Sequence, residues 1–224
     1  MDSRLEFLVL IAVAALPMVP AGPAALAQST SSSSQHVRKA APAGDSRLDA
    51  GSVSNGLYRN QAFRFTCKIP AGWVLRTEEM NDQQNEQPAP DSAKAARVLL
   101  AAFSRPPAAR GEDVNSSILI AAESTSSYPG LKDAAQYFGP VTEIAKAQGF
   151  DVVSEPYDFE IGAKPIVRAD FQKDIGTRVM RQSTLVILAR GYAVSYTFIG
   201  GTEDEVEELI AGLSFGVSAK APQR

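Results

Sequence analysis

Apolar residues alternate with polar residues in much of this sequence, and that spacing is typical of β-strands. In the clearest case Tyr192, Val194, Tyr196 and Phe198 share one apolar face, while the opposite face is small and mixed. Short links that contain glycine join the later strands, and they favour antiparallel neighbours because a parallel pair needs a longer crossover. The predicted strands span residues 62–69, 98–104, 117–123, 150–161, 165–173, 178–189 and 192–199.

Two stretches have instead the spacing of amphipathic helices. In residues 131–148 the apolar positions recur at helical intervals, but Gly139 and Pro140 fall in the middle, which predicts a kink or a split into two short helices. Near the C-terminus, Thr202 and Glu205 have the spacing of a capping box at the start of a helix. The apolar stripe that follows predicts a helix packed on a sheet, and it consists of Val206, Leu209, Ile210 and Leu213.

Two polar segments between these elements are predicted to be loops. Residues 76–97 are rich in Gln, Asn and Glu, and we expect a long loop there with room for one helical turn at 92–97. Structureless loops of this length are uncommon in compact domains, and they tend to be functional or disordered. The second loop spans residues 105–113 and is rich in Arg and Pro.

The N-terminal segment has the pattern of a signal peptide. An uncharged apolar run over 7–16 has only about half of the ~20 residues that a membrane-spanning helix needs, and prolines follow it. Ala25 and Ala27 then form a small-x-small cleavage pattern, so we expect residues 1–27 to be removed. Asp2 and Glu6 are atypical of such a leader, and its retention as an anchor is the alternative. The sequence therefore predicts a periplasmic or extracellular protein without a transmembrane segment after cleavage.

Residues 28–56 are rich in Ser and Ala and contain no aromatic residue. Such a segment buries too little apolar surface to offset the entropy of ordering it, so it is predicted to be a disordered linker. All aromatic residues except Phe7 lie between Tyr58 and Phe215. We therefore predict one domain over 57–217, followed by a short tail at 218–224.

Charge and cysteine content narrow the possible functions. The chain has 22 basic and 25 acidic residues, for a formal net charge of −3, and no basic stripe of the kind that nucleic-acid binding requires. Its one thiol, Cys67, cannot form an intrachain disulfide, and the alternation around it favours a buried, inert side chain. The alternatives are an intermolecular disulfide and a nucleophile, which would need a nearby base. The single histidine, His36, lies in the predicted linker.

A row of polar residues on the strand at 165–173 is the candidate binding site. Arg168 and Asp170 share one face of this strand, and Arg181 on the next strand is predicted to lie across from the row. These residues fit cross-strand charge pairs on a solvated sheet face. They also fit a polar groove for an anionic ligand or partner, since the planar fork of arginine can grip a carboxylate.

No motif for catalysis or cofactor binding stands out. The chain lacks a Gly-x-Ser-x-Gly elbow, paired histidines for zinc and a phosphate-binding loop. Glu203, Asp204 and Glu205 favour a helix N-terminus over a metal site, because acids in a first turn offset the helix dipole and the ligand alternation of calcium loops is missing. The sequence predicts no catalytic residue, no metal and no cofactor.

The two ends of the predicted domain resemble the PsbP-like family. The matching stretches are Leu57-Tyr58-Arg59-Asn60, Phe63-Arg64-Phe65 and Ile69-Pro70-Ala71-Gly72-Trp73 at the start, and residues 191–198, a helix and Leu213-Ser214-Phe215 at the end. The resemblance implies an α+β fold, an α/β/α sandwich around a mostly antiparallel sheet. The family includes an extrinsic photosystem subunit, a nuclear-transport factor that binds the Ran GTPase and many bacterial envelope proteins. It therefore also implies a non-catalytic module that docks on something larger.

We therefore predict a non-catalytic exported binding or assembly module that docks on a larger envelope component, through a sheet face or through the loop at 76–97. Its partner is expected to be another envelope or extracellular protein. The alternative is a small-molecule carrier with an apolar pocket between helix and sheet, and a hydrolase with unassigned acids is the third hypothesis. An aromatic-lined pocket would favour the carrier, and an exposed apolar patch would favour docking.

Overall fold

The computed structural model describes residues 48–86, 96–106, 109 and 114–216. The predicted leader at 1–27, most of the predicted linker, the tail at 218–224 and most of the loop at 105–113 lie outside these residues. Within them, each helix is too short or too polar to cross a membrane.

Eleven strands and three α-helices make up the described part of the chain. The helices are α1 (Thr77–Glu86), α2 (Ala134–Ala147) and α3 (Glu203–Ala211), and a short 3-10 helix covers Thr125–Ser127. The strands are β1 (Ser52–Ser54), β2 (Leu57–Asn60), β3 (Phe65–Lys68), β4 (Val74–Leu75), β5 (Ala96–Phe103), β6 (Ser117–Ser124), β7 (Asp151–Ile161), β8 (Lys164–Ile175), β9 (Arg178–Ala189), β10 (Tyr192–Gly200) and β11 (Leu213–Phe215).

The strands form two sheets in which every pair of neighbours is antiparallel. The large sheet has the order β4-β5-β6-β10-β9-β8-β7, and the small sheet has the order β1-β2-β3-β11. The fold is α+β and mostly antiparallel, as the sequence predicts. The short glycine-containing links after β7, β8 and β9 explain why these consecutive strands are also neighbours in the sheet.

Both faces of the large sheet are covered, as the alternation in β10 shows. On one face Val194 and Tyr196 belong to a core that also contains residues of α3 and of the small sheet. On the other face Ala193 and Ile199 belong to a core that contains residues of α2. The apolar face of this strand was predicted to be buried, and its small and mixed face is buried too.

The first predicted strand is shorter in the structure than in the prediction. A strand was predicted over 62–69, but β3 covers only Phe65–Lys68, and a turn precedes it. The carboxamide of Asn60 accepts a hydrogen bond from the Phe63 N–H at 2.9 Å, and Arg64 adopts a left-handed φ of 57°. Side chain-to-backbone bonds of this kind stabilise turns at the expense of strands.

Residues 48–56, which precede the predicted domain boundary at 57, contact the rest of the fold. Asp49 accepts hydrogen bonds from the backbone N–H groups of Gly51 (2.9 Å), Gln61 (2.8 Å) and Ala62 (3.1 Å). These bonds stabilise the carboxylate and lower the pKa of Asp49, and Leu48 packs against the core. Residues 48–56 therefore belong to the folded domain, because the Asp49 carboxylate bonds the backbone of a distant turn and so holds a segment that has little apolar surface of its own.

The loop predicted over 76–97 is corrected by helix α1 at Thr77–Glu86. In this helix Met80 is buried, and its side chain packs with Val98 and Phe103 of the large sheet. A helix with so few apolar residues has no clear periodicity, which is why the sequence did not reveal it. The helical turn predicted at 92–97 lies partly outside the described residues, and its last two residues belong to β5.

Side chains of α1 close the edge of β5 where β4 no longer pairs with it. The carboxamide of Asn81 accepts from the Val98 N–H at 3.1 Å and donates to the Val98 carbonyl oxygen at 2.9 Å. The Thr77 hydroxyl accepts from the Ala101 N–H at 3.0 Å. These bonds imitate a neighbouring strand, and covering an open edge in this way also prevents it from pairing with other chains.

The other two helices begin at side-chain caps. Asp133 accepts from the Gln136 N–H at 3.0 Å, so α2 starts later than the predicted position 131. It continues as one helix through Pro140, so the predicted split does not occur. At α3, Thr202 accepts from the Glu205 N–H at 3.1 Å, and Glu205 reaches back to the Gly201 N–H at 2.8 Å. Both residues of the predicted capping box therefore cap the helix. The Glu205 side chain bonds the N–H of Gly201, whereas a standard capping box would use the N–H of Thr202.

Candidate functional site

The polar row predicted on 165–173 surrounds a buried arginine. Arg168 is 7% exposed; its Nε donates to Asp170 at 2.8 Å and its Nη2 donates to the hydroxyl of Ser183 at 3.0 Å. The same Nη2 contacts a carboxylate oxygen of Glu207 on α3. The guanidinium also stacks over the ring of Phe159, 5.0 Å from its centroid. These contacts tie β7, β8, β9 and α3 together at one place.

The structure brings two of the three predicted binding residues into direct contact. Asp170 bonds both Arg168 and Ser183, and it accepts from the Tyr157 hydroxyl at 3.0 Å. Arg181 lies across from Gln172, as the register predicts, one row beyond the cluster. Because the guanidinium of Arg168 is already held by partners within the chain, a ligand would have to displace one of them. The binding role of these residues stays a prediction.

A second polar cluster forms where β6 meets α2, around a carboxyl group that sequence reasoning did not single out. Glu123 is 5% exposed, and its Oε2 accepts from the hydroxyls of Tyr128 at 2.8 Å and Tyr137 at 2.9 Å. Burial raises the pKa of Glu123, and the two hydroxyl bonds oppose that rise. In the sequence, the feature that could have indicated this cluster is the position of Glu123, an acid near the end of the otherwise apolar strand β6.

The Glu123 cluster does not have the composition of a glycosidase-type site. Glycosidases use two carboxyl groups with different roles, whereas the contacts of Glu123 come from two tyrosines. Its observed contacts attach the segment after β6, and helix α2, to the large sheet.

The cysteine is placed as the alternation predicts. Cys67 is fully buried in the core between the two sheets, and burial raises its pKa to about 12. A thiol of this kind is almost entirely protonated at neutral pH, and it is a poor nucleophile and metal ligand. Cys67 therefore has a packing role.

A groove of about 660 Å³ opens where the two sheets end at their edge strands β1 and β4. Val53 of β1 lines it from the small sheet, and Arg97 and Leu99 of β5 line it from the large sheet. Residues at the end of β4 and in α1 line the groove as well. Part of the region expected to be a functional loop, 76–97, is thus a wall of this groove.

Two of the large apolar side chains that the fold leaves exposed line this groove. Val53 is 40% exposed and Leu75 is 47% exposed. Val53 lies opposite Tyr58 in the pairing of β1 with β2, so the two side chains share the inner face of the small sheet. Tyr58 is buried on that face, while Val53 remains exposed at the sheet edge. Single exposed apolar residues are ordinary, but two in one groove form a surface that a partner can cover.

The groove also contains an arginine with no ionic partner. Arg97 is exposed, and its guanidinium makes no ion pair or hydrogen bond with any residue in the described ranges. Arg76, by contrast, is paired with Glu79 in the first turn of α1. Burial raises the pKa of Tyr58 to about 12, and the positive charge of Arg97 opposes that rise. Within the described part of the chain, the Arg97 guanidinium is therefore not neutralised by an acidic side chain.

The sequence contained one signal for the small-sheet side of this groove. Asn55 and Gly56 join β1 to β2 and have φ values of 51° and 69°. An Asn-Gly pair with positive φ at both positions is the preferred two-residue turn of an antiparallel hairpin. The hairpin was missed because its first strand lies in a segment that its composition assigned to the linker.

Comparison with known proteins finds no matching family model and no matching curated protein. Among solved structures, cyanobacterial PsbP (CyanoP) from Synechocystis sp. PCC 6803 is similar at a TM-score of 0.45 and 12% identity, over 75% of this chain and 98% of that chain. LpqN of Mycobacterium tuberculosis, involved in cell envelope biogenesis, is similar at a TM-score of 0.34 and 15% identity, over 67% and 82%. PA94 of Pseudomonas aeruginosa, a protein of unknown function, has a TM-score of 0.34 and 19% identity, over 68% and 85%.

A PsbP structure is thus among the solved structures similar to this chain, in agreement with the resemblance noted in the sequence.

Proposed function

We propose that this protein is a non-catalytic, exported binding module, an α/β/α sandwich that docks on a larger envelope protein through the groove between β1 and α1. The observation that carries the proposal is the surface of this groove. It combines about 660 Å³ of open space, two exposed aliphatic side chains and an arginine without an ionic partner among the described residues. Export is supported by the leader pattern at 1–27.

The groove is proposed as the docking surface in preference to the Arg168 cluster. Arg168 already contacts two carboxylates and a hydroxyl, so binding there would first have to break bonds that hold α3 to the sheet. Arg97 has no such bond to any residue that the structure describes. Burying a charged group is costly unless an opposite charge or a hydrogen bond compensates for the lost water. A partner carboxylate supplies that compensation to an arginine without breaking an existing bond only where the guanidinium has no partner already.

The proposal is tested by photo-crosslinking in living cells of the native host. A photoreactive amino acid at Leu75 in the groove is compared with one at Ile175, which is 42% exposed at the end of β8 and does not line the groove. We expect one discrete protein adduct from position 75 and none from position 175. Adding Val53→Trp, which fills the groove, is expected to abolish the adduct. Equal adducts at both positions, or none at position 75, would contradict docking through the groove.

A small-molecule carrier is the second candidate, because the groove volume lies within the range of small-molecule sites, roughly 300–1,000 Å³. The groove differs from the apolar pocket expected of a carrier, since Arg76, Glu78, Glu79 and Arg97 line it together with one aromatic residue, Tyr58. Native mass spectrometry of protein purified from its host separates the two candidates. A recurring small bound mass that Val53→Trp removes would support the carrier.

A further inference from the structure

We propose that the partner segment in the groove is an extended peptide strand that pairs with the open edge of β1 and places an acidic side chain against Arg97. This inference rests on the proposed docking function and specifies the chemistry of the docked partner. Three features of the structure support it: the backbone groups of β1, the direction of the Val53 side chain and the charge in the groove.

The open edge of β1 is the first feature. Among the described residues β1 pairs only with β2, so no described strand lies on its other side. The two-residue turn makes Ser54 and Leu57 the hydrogen-bonded pair, and bonded pairs alternate with non-bonded pairs along an antiparallel ladder. Val53 and Tyr58 are therefore a non-bonded pair. The N–H and C=O of Val53 consequently point away from β2, where an added strand can bond them.

Within the described residues, the edge of β1 lacks the protection found at β7 and along β5. The long edge strand β7 carries Pro156, several acidic residues and irregular register, all of which discourage a new strand. The edge of β5 is closed by Asn81 and Thr77 of α1. All three residues of β1 are exposed, and none of them is a proline or a charged residue.

The side chains of an added strand would also reach the groove. Val53 shares the inner face of the small sheet with Tyr58, so inward-pointing side chains of a neighbouring strand would lie over the same groove. An added strand lies about 4.8 Å from β1, and every second side chain points inward. One inward side chain can therefore cover Leu75, which has its apolar surface exposed, and another can approach Arg97.

Charge complementarity selects an acidic residue in the partner. Arg97 of β5 is paired with Ala122 of β6, and directly paired residues have their side chains on the same face of a sheet. The side chain of Ala122 lies in the core between the two sheets, so Arg97 is on the face of the large sheet that looks toward the small sheet. The opposing charge is Glu78, an exposed residue of the groove in the first turn of α1, where the helix dipole favours a carboxylate. Arg76 is neutralised by Glu79. A partner carboxylate at Arg97 thus meets a cation that has no described competitor for its hydrogen bonds.

The test uses random peptides displayed on phage and selected on the intact protein purified from its host. We expect the selected peptides to alternate aliphatic and other residues and to share an acidic position. For a synthetic copy of the best peptide, Arg97→Glu is expected to weaken binding at least about tenfold. The matched control is Arg59→Glu, an exposed arginine on β2 outside the groove lining, which is expected to leave binding unchanged.

Strand pairing is tested on the peptide itself, so that no protein variant can fail to fold. In a paired strand, N–H groups alternate between the new neighbour and solvent. N-methylation at positions of one parity should therefore weaken binding at least about tenfold, while methylation at the other parity should leave it nearly unchanged. Equal effects at both parities, or binding that is insensitive to Arg97→Glu, would overturn the inference. Crosslinking at Leu75 would still report separately on docking through the groove.

Discussion

The hydrogen bonds between α1 and β5 allow the stability cost of replacing Asn81 to be predicted. Its carboxamide replaces a neighbouring strand for Val98 by bonding both the N–H and the C=O of that residue, and it donates to the Thr77 carbonyl oxygen at 2.9 Å. Asn81→Ala removes all three bonds. It leaves two backbone groups of Val98 without protein partners, in a residue that is 3% exposed.

The expected cost follows from these losses. An unsatisfied buried polar group costs about 1–3 kcal/mol, and the position at a sheet edge lets water replace part of what is lost. Alanine is a better helix former than asparagine by about 0.5 kcal/mol, which partly offsets the loss. We therefore expect Asn81→Ala to lower the free energy of unfolding by about 2 kcal/mol. Asn81→Asp keeps the acceptor but faces the Val98 carbonyl with a carboxylate oxygen, so its cost should be at least as large.

Urea unfolding followed by the fluorescence of Trp73, which packs against the core, measures these differences. Gln83→Ala is the matched control, because Gln83 is an exposed residue of the same helix with no described contact to β5. Its effect is expected to stay within about 0.5 kcal/mol. If Asn81→Ala and Gln83→Ala had equal effects, or if the Val98 amide exchanged no faster in the Asn81 variant, closure of the β5 edge by α1 would be refuted.

Three further predictions concern buried polar groups. Burial raises the pKa of Glu123 above its ordinary value of 4.5, so the folded state favours the protonated side chain. The resulting stabilisation is fully present below pH 4.5 and is lost as the pH rises through the folded-state pKa. Glu123→Gln should therefore gain stability relative to wild type as pH increases from 4.5 to 8 in urea titrations, and parallel curves would contradict this. Arg168→Met should lower the unfolding free energy by about 3 kcal/mol, since it leaves Asp170 without its ionic partner, whereas Arg181→Met should change it by less than about 0.5 kcal/mol. Cys67, with a pKa of about 12, should react with thiol reagents only at the rate of unfolding, and rapid labelling of the native protein would show that it is accessible.

Several elements of the fold follow from local patterns in the sequence. The predicted strands at 150–161, 165–173, 178–189 and 192–199 correspond closely to β7–β10, because alternation and short glycine turns specify both a strand and its antiparallel neighbour. The cap at Thr202 and the stripe behind it specify α3 for the same reason. Burial of Cys67 was also predictable, since its place in the alternation fixes which face it occupies.

The candidate site depends instead on contacts between distant parts of the chain. Helix α1 has few apolar residues and is held by side-chain bonds to β5, and β1 is ordered by Asp49 and by the turn at Asn55. Such bonds leave no periodic trace in the sequence, so a composition-based reading assigned both segments to loop or linker. The sequence by itself determined strands β7–β10 and the C-terminal helix α3, since these arise from local periodicity and short turns. Only the tertiary structure decided that the polar segments form a groove with Arg97, because that requires the edges of two sheets to meet.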